Sequence, residues 1–345
     1  MKLYFSDFFN VTPDALEQYG AFNVSLVTDL PLFVDPFLLF NSDKEEYQQL
    51  HDNIIAYLRF LRGRSMSETL APGLVDAWYR FPEIKQTWLG FSRSGNSGRG
   101  LGRRFAHSLH SNLAALFADF GDETITRASH LEKLCLVDDR VGNDSISDFA
   151  TNLIHEYLLE FTQTFAIGHI HQSLRRRVAV PRVRFNYHTE TWEARDYDLP
   201  FLGSDHVLLT PRDILTKDST WINRHDLVAD FERIPEVLPS QVQRDLVNNY
   251  FRKVLPKDAS RKDYDKAVVR TIQEFPELID AFIRLKEDSG ELAVGFSDAK
   301  VTQSRRLYVE QFGAFVARLE AETQFFRRSG DSYSEAMERV QFMKD

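Results

Sequence analysis

Two stretches of this sequence carry side chains that could bind a metal ion or a phosphate group. The first is acidic: Asp138 and Asp139 follow a short apolar run, and Asp144, Asp148 and Asn152 come next, four residues apart. Residues at that spacing share one face of a helix, with a drift of about 40° per step. Carboxylate oxygens are the ligands that Mg²⁺ and Mn²⁺ prefer. The pattern predicts a phosphodiesterase site in which Asp139, Asp144 and Asp148 hold Mg²⁺ or Mn²⁺ and activate water.

The same acids also have a structural interpretation. Ser145 stands where a helix would begin, and Asp148, three residues later, completes the Ser-x-x-Asp pattern of a capping box. The two interpretations are compatible, because Asp148 could cap the helix while its neighbours bind the metal.

The second stretch, FSRSGNSGRGLGRR at residues 91–104, is rich in glycine and arginine. Glycine lets backbone N–H groups approach an anion closely, and arginine adds fork-shaped hydrogen-bond donors. We predict a phosphate-binding loop formed by Arg93, Gly95, Gly98, Arg99, Gly100, Arg103 and Arg104. A flexible surface loop is the alternative, since the segment lacks the Gly-Lys-Ser/Thr ending of a Walker A motif and follows no clear strand.

Two further acids flank the apolar segment LPLFV, namely Asp29 and Asp35. An acid at a strand end can be a metal ligand, whereas aspartate before proline commonly forms a turn. The sequence leaves both roles open for these two residues.

The elements around the central acids set where these side chains would point. Residues 134–137 are apolar and predict a buried strand, and apolar residues at helical spacing from Ile146 to Phe165 predict one long amphipathic helix. A junction between a strand and a helix often binds anions, because free N–H groups and the positive end of the helix dipole point outward there.

The sequence as a whole predicts an α+β fold that is mostly helical, with a small β-rich middle section. Residues 178–193 predict two strands joined by a turn near His188, and helices are expected from residue 240 onward, interrupted at Gly290–Gly295. We assign residues 1–235 to a core region that holds the glycine-rich loop and the central junction. Residues 236–345 form a helical region, which we expect to lead into a further C-terminal domain.

Composition limits the classes of function. The net charge of −9 excludes a general nucleic-acid coat, although basic residues cluster at 93–104 and 175–184. The single cysteine, Cys135, excludes an intramolecular disulfide framework and is expected to be a small buried side chain. No signal peptide and no apolar run of about 20 residues is present, which predicts a cytoplasmic protein with no membrane partner.

Several long segments resemble one uncharacterised group of bacterial proteins, in the same order along the chain. These segments are DLPLFVDPFLLFNS at 29–42, QTWLGFSRSGNSGRGLG at 86–102, SHLEKLCLVDDRVGNDSISDFATNLI at 129–154, LLTPRDILTKDSTWINRHDL at 208–227 and SYSEAMERVQFMKD at 332–345. In that group a further C-terminal domain resembles PD-(D/E)XK nucleases of the restriction or phage-defence kind. The resemblance therefore implies that this chain is the N-terminal region of such a nuclease.

The catalytic motif of that nuclease domain, a Gly-Arg-Gly-Pro-Val-Asp-Phe-Lys run with a later Glu-x-Lys, has no counterpart here, so no catalytic residue is carried over. Three hypotheses follow. The chain is a recognition or regulatory region that binds DNA or a partner protein in antiviral defence. Alternatively, it is a self-contained phosphodiesterase that uses the central acids, or a sensor or assembly module that acts without catalysis, for example as a homo-oligomer.

Overall fold

A computed structural model describes residues 3–27, 29–66, 71–90, 102, 105–107, 109–110, 113, 120, 123–137 and 141–304. Within these residues the fold is α+β and mostly helical, as predicted. The glycine- and arginine-rich stretch, Asp138 and Asp139, and the expected helices beyond residue 304 lie outside the described part, except for Gly102.

Short helices and one long helix dominate the N-terminal part. Pro13 opens the second helix, Thr12 caps it by accepting a hydrogen bond from the Ala15 N–H, and Gly20 ends it with a positive φ of 82°. The helices are α1 Phe5–Phe9, α2 Pro13–Tyr19, α3 Pro36–Phe40, α4 Glu45–Ser65 and α5 Pro72–Tyr79.

The middle of the chain holds the central helices and the strands. The helices are α6 Lys133–Val137, α7 Asn143–Leu153 and α8 His155–His169. The strands are β1 Leu32–Val34, β2 Arg175–Asn186, β3 Thr191–Leu202, β4 Asp205–His206 and β5 Leu215–Lys217. β2, β3 and β4 form an antiparallel sheet, and β1 pairs antiparallel with β5. The predicted hairpin is confirmed, and its turn includes His188.

Helices make up the C-terminal part. They are α9 Arg224–Ala229, α10 Gln241–Val254, α11 Arg261–Glu274 and α12 Glu277–Asp288, with a 3₁₀ segment at Phe231–Val237. Residues 290–304 are helical too, so the predicted interruption at Gly290–Gly295 is wrong. The helical run is broken one residue earlier, at Ser289, which is the C-cap of α12.

The prediction for residues 134–137 is also wrong, because they lie in the short helix α6 and not in a strand. Four apolar residues fit one buried helical turn as well as a strand, and pairing partners decide between them. The single long helix is in fact two helices, α7 and α8, which meet at Ile154, where φ is −98° and ψ is 14°. Most of its predicted apolar face is nevertheless buried, and Leu153, Tyr157 and Phe161 are half-buried.

One large apolar core joins most of these elements. Phenylalanine fills much of it: Phe5, Phe37, Phe81, Phe149 and Phe282 are each completely buried. A smaller cluster under the β2–β3 hairpin contains Leu159, Val180 and Leu199. None of the described helices combines the length and the apolar character that a membrane span requires.

Candidate functional site

Four acidic side chains from three separate segments act on one another electrostatically. Asp29 precedes β1, Glu83 lies in the loop after α5, and Asp144 and Asp148 occupy successive turns of α7. We call these four residues the acidic site. Asp144 and Asp148 were predicted from their spacing, and the fold adds Asp29 and Glu83 to them.

Pairing between distant segments brings Asp29 and Glu83 to the site. Leu30 and Leu89 form a parallel β-bridge, in which the Leu30 N–H donates to the Trp88 carbonyl at 3.3 Å. The Gly90 N–H returns a hydrogen bond to the Leu30 carbonyl at 3.0 Å. The residue before Leu30 and the loop that leads to Trp88 are thereby held side by side.

Helix α7 is fixed against the same two segments. The Ser147 hydroxyl accepts a hydrogen bond from the Val34 N–H at 2.9 Å, which ties α7 to β1. The Asn152 amide donates to the Pro82 carbonyl at 2.7 Å, and the Phe81 and Phe149 rings stack with centroids 3.8 Å apart. These contacts hold Glu83 beside the face of α7 that carries Asp148.

Gly90 lies against the acids and has a backbone conformation that suits glycine, with φ of 117°. A Cβ atom at this position would be 3.5 Å from Asp144 Oδ1 and 4.0 Å from Glu83 Oε1. The glycine- and arginine-rich segment begins at the next residue. Chain connectivity therefore attaches the start of the predicted phosphate-binding loop to the acidic site.

Burial and mutual repulsion raise the pKa values of the four carboxyls. Burial, followed by the charges of Asp144 and Glu83, raises the pKa of Asp148 to about 8. Burial, with repulsion from Glu83 and Asp144 partly offset by Lys85, raises the pKa of Asp29 to about 7. Burial also raises the pKa values of Glu83 and Asp144. We therefore expect Asp29 and Asp148 to change their protonation state near neutral pH.

Within the described residues, none of these four carboxyl groups accepts a hydrogen bond or forms an ion pair. Asp29 is only 8% exposed, and neither of its carboxylate oxygens has a partner. A buried carboxyl group without a partner is unfavourable by about 1–3 kcal/mol or more. Such a group is typical of a site that is completed by a ligand.

A cation at the acidic site would need water molecules among its ligands. Among the described residues, no three His, Cys, Asp or Glu side chains stand ready to share one metal ion. Mg²⁺ commonly keeps several water ligands and takes only one or two carboxylates, with a substrate phosphate completing the shell. The acidic site offers hard oxygen ligands of that kind, and Asp139, its predicted companion, lies outside the described residues.

The capping-box prediction for Ser145 is wrong. The N-cap of α7 is Gly142, three residues earlier, and no side chain caps this helix. Asp148 therefore does not close a box with Ser145. Asn152, the third member of the predicted row, is buried and uses its amide to position the Pro82 loop. Its role at the site is thus one of support.

The remaining sequence candidates fall elsewhere. All seven predicted phosphate-binding residues of the 91–104 segment lie outside the described residues. The second basic cluster is not a free cationic surface: on β2, Arg175 pairs with Asp198 at 3.1 Å and Arg184 pairs with Glu193 at 3.2 Å. These two arginines therefore have acidic partners on the neighbouring strand β3.

Asp35 has a structural role, and this was one of the two roles that the sequence left open for it. It is the N-cap of α3, where Oδ1 accepts from the Phe37 N–H at 3.1 Å and Oδ2 accepts from the Trp221 N–H at 2.7 Å. Burial raises its pKa to about 6, and burial together with the Asp35 charge raises the pKa of Glu132 well above its usual value. Cys135 is buried beside this pair, as predicted, and burial raises its thiol pKa.

Glu83 is the member of the site that sequence reasoning missed. It is a single acid after a proline, with no spacing that connects it to Asp144 or Asp148. For Asp29 the sequence left the roles of metal ligand and turn residue open, with nothing that linked it to Asp144 or Asp148. Their convergence depends on the bridge between Leu30 and Leu89, which no local pattern encodes.

Comparison with known proteins gives one match. A family model described as "Domain of unknown function (DUF8370)" matches residues 10–223. The matched range contains all four acids of the acidic site and the glycine- and arginine-rich segment. No curated protein and no solved structure matches the chain.

Proposed function

This chain belongs to the DUF8370 family, and we propose that it binds the phosphodiester backbone of nucleic acid through a divalent cation held at the acidic site. The cation would be Mg²⁺ or Mn²⁺, with Asp29, Glu83, Asp144 and Asp148 as the candidate ligands. Arginines of the 91–104 segment would add direct phosphate contacts, as the sequence predicts.

One observation carries the proposal. Four carboxyl groups converge without a hydrogen bond or ion pair within the described residues, at the position where the arginine-rich segment begins. Without a cation, the acids would repel a phosphate, and the arginines would pair with the acids. A divalent cation between them satisfies the acids and attracts the phosphate, so the combination of residues is explained by a ternary site.

The proposal also accounts for the overall charge. A protein of net charge −9 has no general attraction for nucleic acid. Binding through a metal ion would confine phosphate recognition to one place and make it depend on the cation. In the defence-nuclease hypothesis, which rests on the sequence resemblance, this binding would be the recognition step that precedes cleavage by another domain.

Metal binding is tested first, by calorimetric titration of Mn²⁺ and Mg²⁺ into the protein. Because metal ligands must be deprotonated, we expect the affinity to rise between pH 6 and pH 8 and protons to be released on binding. Asp148→Asn should weaken Mn²⁺ binding by at least about tenfold, a loss typical of a removed ligand. Asp258→Asn, which alters an exposed acid outside the site, is the matched control.

Nucleic-acid binding is tested next, by fluorescence anisotropy of a labelled DNA duplex with Mn²⁺ or with EDTA. We expect binding that needs Mn²⁺, that weakens with salt, and that is lost in Asp148→Asn and in the Arg99→Ala, Arg103→Ala double variant. Binding that is equal in EDTA and equal in Asp148→Asn would contradict the proposal.

The same samples separate recognition from catalysis. DNA that stays intact while bound supports a recognition region. Metal-dependent cleavage that Asp148→Ala abolishes would instead support the phosphodiesterase hypothesis, in which the metal activates the attacking water. Equal slow cleavage by wild type and Asp148→Ala would exclude that hypothesis.

A further inference from the structure

A second site lies away from the acidic site, in a groove of about 430 Å³ between α2, the start of α4 and α8. Its walls include Tyr19, Tyr47, Tyr157 and Phe161, and the acids Glu46 and Glu160. We call it the tyrosine groove. It is large enough for one long side chain, and the proposed function does not use it.

The aromatic wall is rigidly built. Tyr19 and Phe161 have ring centroids 4.6 Å apart, and the Tyr19 hydroxyl donates to the Phe161 carbonyl at 2.8 Å. Tyr157 stacks on Phe161 at 5.9 Å and meets the edge of Tyr47 at 6.1 Å. Tyr47 is buried, and the half-buried rings of Tyr19, Tyr157 and Phe161 are those that offer a preformed surface to a flat or cationic group.

One acid of the groove is already neutralised. Asp213 accepts hydrogen bonds from the Tyr47 hydroxyl at 2.7 Å and from Lys44 Nζ at 2.5 Å. Lys44 also lies over the Tyr47 ring, 4.4 Å from its centroid. The lysine, the tyrosine and the aspartate thus form a closed unit at one end of the groove.

The other two acids are left unpaired. Within the described residues, neither Glu46 nor Glu160 forms an ion pair or a hydrogen bond. The nearby cation Arg184 pairs with Glu193 at 3.2 Å, and Arg195 pairs with Glu156. Both glutamates are exposed; burial of part of Glu160 and then the charge of Glu156 raise its pKa, Arg195 and Arg184 partly offset the rise, and Glu46 adds to it. The groove therefore keeps a negative potential next to aromatic faces.

We propose that the tyrosine groove binds the guanidinium group of an arginine side chain presented by a peptide partner. Guanidinium is planar, stacks on tyrosine rings and donates two parallel hydrogen bonds to a carboxylate. An ammonium group is more strongly hydrated and cannot stack flat, so lysine fits the groove less well. Charge complementarity with Glu46 and Glu160 selects this occupant.

The proposal is tested by titrating the protein with three capped tripeptides, which have arginine, lysine or citrulline at the centre. Chemical-shift changes in the NMR spectrum of the protein report the binding. Citrulline keeps the shape of arginine without its charge. A cation–π contact and an ion pair together are worth about 1–2 kcal/mol, so we expect the arginine peptide to bind about tenfold more tightly than the citrulline peptide. The lysine peptide should be intermediate.

Single variants then place the binding. Glu46→Gln and Glu160→Gln should each weaken binding of the arginine peptide by about three- to tenfold. Glu45→Gln is the matched control, because Glu45 is the exposed neighbour of Glu46 on α4 and does not line the groove. Equal binding of citrulline, an equal loss in Glu45→Gln, or no saturable binding up to about 10 mM would overturn the proposal. These variants leave the acidic site intact, so the result is independent of the proposed function.

Discussion

Among the described residues, acidic side chains in two regions differ in whether they have partners. At the acidic site, four carboxyl groups have no partner within the described residues. In the other region, residues 123–133 pack against α12, and Glu123, Asp280 and Glu287 are paired, whereas neither carboxylate oxygen of the buried Glu132 has a hydrogen-bond partner in the described part of the chain. We call this second region the ion-pair interface. Both regions contain aspartate and glutamate, and the ion-pair interface adds Lys133, Arg127 and His130 as their partners.

Cations and N–H groups pair with three acids of the ion-pair interface. Lys133 Nζ lies 2.7 Å from Asp280 Oδ1 and 3.9 Å from Glu123 Oε1. Glu287 Oε1 accepts from the Arg127 N–H at 2.9 Å and is 3.0 Å from His130 Nε2. A buried charge with partners fixes how two segments pack. Acids without partners raise the energy of the fold, and at the acidic site we propose that a bound cation offsets this cost.

The largest effect is expected at the ion-pair interface. Lys133→Met removes the cation and leaves Asp280 and Glu123 buried without it, so we expect the free energy of unfolding to fall by about 3–5 kcal/mol. Urea unfolding followed by circular dichroism measures this loss. Adding Asp280→Leu should recover part of it, because the uncompensated charge is then gone. A loss below about 1 kcal/mol would remove the basis of the comparison.

A change of opposite sign is expected at the acidic site. Asp148 has a pKa of about 8 in the folded protein and an ordinary value of 3.8. Between these values the folded chain retains a proton that the unfolded chain releases, so stability falls as the pH rises. Asp148→Asn removes this loss. Because water screens part of the repulsion, we expect the metal-free variant to be more stable than wild type by about 1–2 kcal/mol.

The dependence of this stability gain on pH distinguishes it from a general change in stability. The gain should be largest above pH 8 and should vanish below about pH 3, where Asp148 is protonated in both states. Denaturant titrations of wild type, Asp148→Asn and Asp258→Asn at several pH values measure it. A destabilised Asp148→Asn without metal would mean that the acid is a structural partner, like those of the ion-pair interface.

Local patterns predicted about half of the acidic site. The shared face of Asp144 and Asp148 follows from helical spacing, and the apolar stripe that buries α7 follows from the same period. The β2–β3 hairpin was likewise visible as two runs with a turn between them. Each of these features depends on residues that are neighbours in sequence.

The other half of the acidic site depends on pairing between residues that are distant in sequence. Glu83 reaches the acids because the chain at Leu89 pairs with Leu30, and nothing near Glu83 records that bridge. The apolar run at 134–137 failed for a related reason: a strand needs a partner strand, and this segment is a helical turn next to α7. Short apolar runs are ambiguous until their tertiary neighbours are known.

The smallest effect is expected at the start of α7, where the structure and the sequence pattern disagree. A capping serine contributes about 1 kcal/mol, but the N-cap is Gly142 and Ser145 lies inside the first turn. We therefore expect Ser145→Ala to change the free energy of unfolding by less than about 0.5 kcal/mol. Asn223→Ala is the matched variant, since Asn223 caps α9 by accepting from the Asp226 N–H at 2.9 Å and should lose about 1–2 kcal/mol. Equal losses in the two variants would restore the capping box, and Asp148 would then be paired and no longer a candidate ligand.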